Sequence, residues 1–177
     1  MITVEELRTL IRYEPETGLF TWLPRTGTRK KVGAWNGKNA GQVAGWVTTG
    51  GYIVLEFKGL GKFKAHRVAW LFCTGEWPKD EIDHINGKTS DNRIANLREA
   101  NRSQNQANQK TTKAVSGIKG VHWDKVNKKW RAEIMINYRH INGGRYATKE
   151  EALVRYQELS RQYFGEFACD AFGKVKK

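Results

Sequence analysis

Apolar positions near the start of the chain recur with the spacing of a helix. Thr3 and Glu6 have the spacing of a capping box, in which each side chain satisfies a backbone N–H of the first turn. The apolar side chains of this stripe are Val4, Leu7, Leu10 and Ile11. From residue 18 to residue 64 the pattern changes to short β-prone runs broken by glycine and polar residues. We therefore predict one short helix followed by a small antiparallel β platform.

Two further helices are predicted in the middle of the chain. Residues 66–73, HRVAWLFC, form a compact apolar run that ends where Gly75 and Pro78 interrupt it, which indicates a short buried helix. Residues 98–109, REANRSQNQANQ, predict a helix that is apolar on one side and wholly polar on the other.

The last third of the chain has the pattern of a small sheet packed on one helix. Three β-prone runs carry turn signals at Asn127 and at Asn142-Gly143-Gly144, and Thr148 with Glu151 forms a second capping box. Five apolar side chains then follow at helical spacing: Ala152, Leu153, Tyr156, Leu159 and Tyr163. The expected fold class of the whole chain is therefore α+β.

A short polar segment separates the two parts. Residues 110–115, KTTKAV, contain few apolar side chains and have the composition of a linker. We predict a first domain over residues 1–109, a second over 116–168 and a basic tail over 169–177.

The net charge of the chain indicates what kind of partner it binds. It has 31 Lys and Arg against 18 Asp and Glu, a net charge of +13, and both halves are basic. Such an excess indicates a polyanionic partner, and nucleic acid is the first choice. A membrane surface is the competing polyanion, but the sequence lacks an apolar run of about 18 residues and does not begin like a signal peptide. We expect a cytoplasmic protein with no membrane partner.

Residues 81–97, EIDHINGKTSDNRIANL, offer the residue types that phosphodiester hydrolysis needs. His84 can take a proton from water near neutral pH. Asp83 and an Asn side-chain oxygen are hard ligands suited to Mg²⁺ or Mn²⁺. Taken alone, an Asp-His pair more often caps a turn or makes a surface hydrogen bond. Neighbouring residues in a regular strand point to opposite faces, so a shared site requires a strand end or a turn here.

The same region resembles a known family. The runs HRVAW and EIDHINGKTSDNRIANLREANRSQNQAN look like the HNH nucleases of the ββα-metal class, in the phage and homing branch. The resemblance implies that Asp83 is a metal ligand, His84 the general base and Asn96 an orienting residue. It implies Asn105 as the last metal ligand where many members have a second His, which favours Mg²⁺ or Mn²⁺ over zinc. His66 is a secondary catalytic candidate, with a structural role as the alternative.

Two arginines in the predicted helix after the motif are candidates for phosphate binding. Arg98 and Arg102 are four residues apart, so a helix sets both cations on one face near Asn105. A solvated helix face is an equally good interpretation of the same pattern.

Residues 116–168 resemble the APETALA2-type DNA-binding domain, from the Gly-Val-x-Trp opening through KKWRAEI to YFGEFA. In that family a three-stranded sheet lies in the major groove of DNA and the helix packs on its back. If Ala132 and Ile134 face the helix, then Arg131 and Glu133 face outward. The candidate DNA contacts are Lys119, His122, Trp123, Lys125, Trp130, Arg131 and Arg139. A core position is the alternative for Trp130.

Together these features predict a metal-dependent endonuclease that cuts double-stranded DNA, with the second domain supplying site preference. A DNA-binding regulator with an inactive nuclease scaffold is the alternative. The sequence leaves open whether the protein is a monomer or a dimer, and whether it nicks DNA or cuts both strands.

Overall fold

The structure is a computed structural model that describes residues 2–109 and 116–168. The predicted linker at 110–115 and the tail at 169–177 lie outside the described residues. The chain divides into two compact units: the first runs to His84 and includes Lys88–Arg98, and the second contains Ile85–Gly87 and the chain from Glu99 onward. The predicted division into domains on either side of the linker stays a prediction.

The first unit combines short helices with small antiparallel sheets, as the sequence predicts. Strands β1 and β2 form a hairpin, β3, β4 and β5 form a three-stranded sheet, and β6 pairs with β7. The elements are α1 (Val4–Arg8), β1 (Ile11–Glu14), β2 (Leu19–Trp22), α2 (Lys30–Asn39), β3 (Trp46–Val47), β4 (Ile53–Phe57), β5 (Gly61–Lys64), α3 (Ala65–Thr74), β6 (Glu81–His84) and β7 (Leu97–Ala100), the last crossing into the second unit.

Two of the predicted helices in the first unit are confirmed and one helix was not predicted. The capping box of Thr3 and Glu6 is formed at α1, and α3 covers the predicted run at 66–73. Helix α2 lies where only strands were expected. None of its residues is fully buried, and its only large apolar side chains are Val32 and Trp35, so the helical pattern in the sequence is weak.

The second unit is a three-stranded sheet packed on one long helix, together with a short helix. The sheet order is β10-β9-β8, and all pairs are antiparallel. The capping box of Thr148 and Glu151 begins the long helix as predicted. The elements are α4 (Arg102–Asn108), β8 (Val121–Asp124), β9 (Lys129–Ile136), β10 (Arg139–Tyr146) and α5 (Lys149–Phe164).

Burial in the second unit confirms the predicted alternation along β9. Ala132 and Ile134 are buried at 0% and 4% exposure and pack with Tyr156 and Leu159 of α5. Val121 of β8 is also fully buried. The opposite face of the sheet is therefore the polar one.

The prediction of a helix from residue 98 is wrong. Leu97–Ala100 is a strand, and the helix begins at Arg102 behind an Asn101 cap that forms a capping box with Gln104. Leu97 and Ala100 are both buried, and their spacing of three suits a helix as well as an irregular strand end. Of the described helices, none is long and apolar enough to cross a membrane.

Candidate functional site

Asp83 and His84 lie at the end of β6 and are both buried, with 4% and 5% of their surfaces exposed. His84 is the last residue of the strand, directly before the turn that contains Asn86 and Gly87. A strand end at this position is what a shared site requires, because the regular alternation stops there. Both side chains are held away from bulk water, so their neighbours decide their chemistry.

The carboxylate of Asp83 is bound by Arg98 of β7. The Nε and Nη2 atoms of Arg98 both lie 2.9 Å from Oδ2 of Asp83. Only 5% of the Asp83 side chain and 13% of the Arg98 side chain are exposed. Arg98 therefore neutralises the Asp83 carboxylate within the first unit. Its predicted role in phosphate binding stays a prediction, although Arg98 lies on strand β7 and not on the predicted helix.

The imidazole of His84 contacts the buried side-chain amide of Asn92, which was not among the predicted site residues. Nε2 of His84 lies 3.2 Å from Oδ1 of Asn92, and Asn92 is only 1% exposed. Burial lowers the pKa of His84, and the hydrogen bond to Asn92 opposes this shift only in part. His84 is therefore neutral near pH 7. An Nε2–H that donates to Asn92 leaves Nδ1 as the nitrogen with a lone pair.

The backbone of Asn92 is fixed by the β1–β2 hairpin. The hydroxyl of Tyr13 donates to the carbonyl oxygen of Asn92 at 2.7 Å, and burial raises the pKa of that hydroxyl. Gly18, at φ +72°, comes so close to this segment that an added Cβ lies 2.4 Å from the backbone nitrogen of Arg93. Tyr13 and Gly18, which are distant in sequence, thus position Asn92. For this reason the residues next to Asn92 in the sequence do not reveal that it contacts His84.

His66 and Tyr52 complete a ring cluster around His84. The ring centroids of His66 and His84 are 5.0 Å apart, and Tyr52 lies 5.5 Å from His66 and 6.2 Å from His84. Nδ1 of His66 is buried and has no hydrogen-bond partner among the described residues. Burial, with His84 as the next contribution, lowers the pKa of His66 to about 3. The structure therefore brings the secondary candidate His66 to the proposed base.

Asn96 lies at the end of the loop that follows the motif's Asn-Gly turn. Its Nδ2 donates to the carbonyl oxygen of Asp91 at 2.8 Å, and its side chain is buried in the 3-10 turn Ile94–Asn96. Asp91 is also bound by Arg93, with Nη2 and Oδ2 2.6 Å apart. Asn96 thus ties the loop to its own backbone, which is the contact that an orienting role requires.

Asn105 and Arg102 lie on α4, in the second unit. The backbone N–H of Asn105 donates to the carbonyl of Asn101 at 2.9 Å, in the first turn of the helix. Arg102 is exposed, and its guanidinium lies 5.9 Å from the ring centroid of Tyr138. The metal-binding role of Asn105 and the phosphate-binding role of Arg102 stay predictions.

Asp83 is the carboxylate on which a metal site in this region was predicted. Among the described residues, no three His, Cys, Asp or Glu side chains are placed to hold a metal ion. A metal site built on Asp83 therefore needs further donors that are not His, Cys, Asp or Glu side chains, and the choice of Mg²⁺ or Mn²⁺ stays a prediction. Because Arg98 holds Oδ2, a cation at Asp83 has to share the carboxylate with that guanidinium.

In the second unit, the outer face of the sheet carries an ionic network centred on Glu133. Arg131 Nη2 lies 2.6 Å from Glu133 Oε2, and the imidazoles of His122 and His140 lie 3.3 and 3.8 Å from Oε1. His122 and Arg131 are both predicted DNA contacts, and they lie in register on adjacent strands. The network was not predicted, although the outward orientation of Glu133 was.

A second pair on this outer face joins Asp124 and Arg145. Nε of Arg145 donates to Oδ2 of Asp124 at 2.7 Å, and this contact lowers the pKa of the Asp124 carboxyl most strongly. Arg145 pairs in register with Arg131, so both guanidiniums lie on the outer face. The alternation of side chains along β10 could have predicted that Arg145 faces outward. The register shift between Asn142 and Gly144 interrupts this alternation and hides it in the sequence.

Three of the predicted DNA contacts have other neighbours. Lys119 donates its Nζ to the carbonyls of Gln106, Ala107 and Gln109 at 2.6, 2.8 and 3.1 Å, and so caps the end of α4. Trp130 shares the helix-facing side of β9 with Ala132 and pairs with Trp123, at a centroid distance of 5.2 Å. Lys125 and Arg139 are exposed. DNA contact by these side chains stays a prediction.

Comparison with known proteins extends this picture. Residues 63–107 match the profile of the HNH endonuclease family. Protein 3.8 of Escherichia phage T7 is 32% identical to the chain over 109 residues, which is 59% of this chain and 88% of that protein. The chain belongs to the same protein family as T7 protein 3.8. Within this family member, residues 63–107 are an HNH endonuclease domain, which confirms the predicted resemblance to HNH nucleases, while the homing branch stays a prediction.

A second viral relative bears the family's name. The uncharacterized HNH endonuclease L560 of Acanthamoeba polyphaga mimivirus is 30% identical over 112 residues, or 62% of this chain. The chain spans 58% of the length of that protein. No solved structure matches the chain. The HNH segment at residues 63–107 contains all four predicted residues Asp83, His84, Asn96 and Asn105. The APETALA2-type resemblance of the second unit stays a prediction.

Proposed function

We propose that the protein is a metal-dependent endonuclease that hydrolyses a phosphodiester bond in double-stranded DNA. The observation that carries the proposal is the buried Asp83–His84 pair at a strand end inside an HNH endonuclease domain. Hydrolysis needs a base for water and positive charge to offset the charge that develops on the phosphate. The first unit supplies the base and a carboxylate that can bind the ion.

His84 is the general base of this proposal. Because burial keeps its imidazole neutral near pH 7, Nδ1 can accept a proton from the attacking water. The water oxygen forms a bond to phosphorus, and the bond from phosphorus to one ester oxygen breaks. Asn92 holds Nε2 and so fixes the tautomer, and Asn96 holds the loop between β6 and β7 in place. His66, against the edge of His84, limits the space in which the imidazole can rotate.

Asp83 and Asn105 are the proposed metal ligands. A bound Mg²⁺ or Mn²⁺ supplies positive charge to the phosphate and to the leaving oxygen. Arg98 fixes the orientation of the Asp83 carboxylate through two contacts to one oxygen.

The second unit is proposed to bind DNA in the manner of an APETALA2-type domain. Its outer sheet face presents Arg131, Arg145 and His122, each held by a carboxylate of the same face. Side chains held in this way are pre-positioned to contact bases or phosphates. Lys125 and Arg102, both exposed, are further candidates for phosphate contact.

A plasmid-nicking assay tests the proposal. The purified protein is incubated with supercoiled plasmid and Mg²⁺, Mn²⁺ or EDTA, beside His84→Ala and the control Gln162→Ala, at an exposed position of α5. We expect metal-dependent nicking by the wild type and by the control, and its loss in His84→Ala. Nicking that persists in His84→Ala rejects the assignment of the base. DNA binding without nicking under any condition favours a DNA-binding regulator instead.

A further inference from the structure

Helix α2 and its surroundings form a basic surface in the first unit, outside the HNH endonuclease domain at residues 63–107. None of the helix residues is fully buried. The basic side chains around it, which we call the α2 surface, are Arg25, Arg29, Lys30, Lys31, Lys38 and Lys58. Within residues 2–109 and 116–168, none of the six forms an ion pair with a carboxylate.

The charges of α2 oppose the stability of the helix. Lys30 and Lys31 occupy its first turn and Arg29 its cap position, with no acidic residue in that turn and no side-chain capping hydrogen bond. Cations near a helix N-terminus are unfavourable because that end carries partial positive charge. Gly33 and Gly37 lower the helix propensity further. The side chains of α2 are at most half-buried, so burial offsets these costs less than it does in a helix with a fully buried face.

Aromatic contacts nevertheless hold this surface in a defined shape. The guanidinium of Arg25 lies 3.7 Å from the ring centroid of Trp35, and Trp35 packs edge-on against Trp22 at 5.8 Å. The side chain of Asn36 bonds both backbone groups of Arg25, at 2.8 and 2.9 Å. The loop before α2 is therefore fixed to the helix, and its cations are not those of a loose segment.

A cleft of about 530 Å³ opens in this surface. Arg25, Lys31 and Lys58 line it together with the two tryptophans. The one carboxylate in its lining, Glu56, lies 3.8 Å from Lys62 and is partly neutralised there. The cleft is therefore cationic with an aromatic wall.

We propose that the α2 surface binds the phosphate backbone of duplex DNA, separately from the HNH residues and from the sheet of the second unit. Cations without a carboxylate partner can bind phosphate without first breaking an ion pair. Their binding releases the counterions condensed on DNA, and this release favours association. Lys31 and Lys38 are seven residues apart, or roughly 10 Å along a helix, so they reach more than one phosphate. A membrane is a poorer partner, since no large apolar side chain of α2 is exposed for insertion.

The inference rests on the proposed function only in taking DNA as the partner, and it is tested without cleavage. Binding of the full chain to a fluorescent 30-base-pair duplex is measured by anisotropy in EDTA, across a range of salt concentrations. The test variant is Lys30→Gln with Lys31→Gln. The control, Arg12→Gln with Arg161→Gln, removes the same charge from exposed positions on β1 and α5.

We expect the test variant to bind roughly tenfold more weakly at low salt, and its slope of log K against log salt to fall by about 1.8. The control is expected to keep the wild-type slope. Its thermal midpoint should equal that of the wild type, and that of the test variant should be equal or higher, because two unfavourable cations leave the first turn. Weaker binding therefore cannot be assigned to unfolding.

Three results overturn the inference: a wild-type slope in the test variant, an equal loss in the control, or a larger effect on single-stranded than on duplex DNA. Failure of the proposed function appears differently, as absence of nicking with Mg²⁺ or Mn²⁺. A protein that does not nick, but whose DNA binding depends on Lys30 and Lys31, supports the inference and rejects only the nuclease proposal.

Discussion

The two units each hold a carboxylate with an arginine, but they expose these pairs to very different degrees. In the first unit, the side chains of Asp83 and Arg98 are 5% and 13% exposed. On the outer sheet face of the second unit, those of Asp124 and Arg145 are 13% and 42% exposed. A buried charge that loses its partner is costly, whereas a hydrated one recovers water. The same pair chemistry is therefore rigid in the first unit and exchangeable in the second.

This difference suits the proposed division of labour. A base and a metal ligand have to be held within a fraction of an ångström of the reacting atoms, and burial with fixed partners provides that precision. Side chains that contact DNA have to leave their protein partners for phosphate or bases, so exposed pairs such as Arg131 with Glu133 are better suited.

The largest expected effect comes from breaking the buried pair. We expect Arg98→Ala to lower the free energy of unfolding by about 3–5 kcal/mol, because the Asp83 carboxylate is left buried without its cation. Urea denaturation followed by circular dichroism measures the change. The double variant Asp83→Leu with Arg98→Met is expected to recover most of the loss, since an apolar pair leaves no buried charge. A loss below about 1 kcal/mol in Arg98→Ala contradicts the description of this pair as rigid.

The next largest effect concerns the amide that holds the proposed base. We expect Asn92→Ala to reduce the rate of plasmid nicking about 100-fold, because His84 loses the contact that fixes its tautomer and orientation. Duplex binding in EDTA should stay within about twofold of the wild type, since Asn92 is buried and cannot reach DNA. The matched control is Asn127→Ala, in the exposed β8–β9 turn. Equal nicking by both variants rules out a positioning role for Asn92.

Acid provides a third test of the buried cluster. The folded-state pKa of His66 is about 3 and its unfolded value is 6.5, so the folded protein favours the neutral imidazole. Stability from this group is complete above pH 6.5 and is lost as the pH falls toward 3. Between pH 7.5 and pH 5.0 the loss is about 2 kcal/mol, at 1.4 kcal/mol per pH unit.

Urea denaturation of His66→Phe at both pH values measures this contribution. The variant should lose about 2 kcal/mol less stability than the wild type between pH 7.5 and pH 5.0, because a phenyl ring takes up no proton. His140→Phe, at an exposed position of the outer sheet face, is the control and should retain the wild-type difference. If His66→Phe and the wild type lose the same stability, His66 is not buried as a neutral group.

Local chemistry in the sequence was sufficient to predict much of the fold. Capping boxes at Thr3 and Thr148 located the starts of α1 and α5, because their side chains satisfy backbone groups within three residues. A shared site for Asp83 and His84 required a strand end or a turn at this position, and β6 ends at His84. Helix α2 was not predicted because none of its side chains is fully buried and two glycines lie within it. The prediction of a helix at Leu97 is wrong because an apolar spacing of three fits both a helix and a strand end.

Long-range contacts set the part of the site that the sequence could not show. Asn92 has the sequence context of a turn residue. In the structure its backbone carbonyl accepts a hydrogen bond from Tyr13, 79 positions away, and its side chain contacts His84. Arg98 looks like a phosphate-binding cation, yet it lies beside Asp83, 15 positions away, on a paired strand. Which partner a polar side chain selects depends on register and burial, and neither is encoded in local spacing.

The smallest expected effect is on the exposed counterpart of the buried pair. We expect Arg145→Ala to leave the free energy of unfolding almost unchanged, because Asp124 keeps its contacts with Asn127 and gains water. Its duplex affinity in EDTA should nevertheless fall about tenfold, since a pre-positioned guanidinium is removed from the proposed DNA face. Arg155→Ala, which removes an equally exposed arginine from α5, is the control for affinity. A large loss of stability with unchanged affinity in Arg145→Ala reverses the comparison, because the pair on the sheet is then structural and the outer face is not where DNA binds.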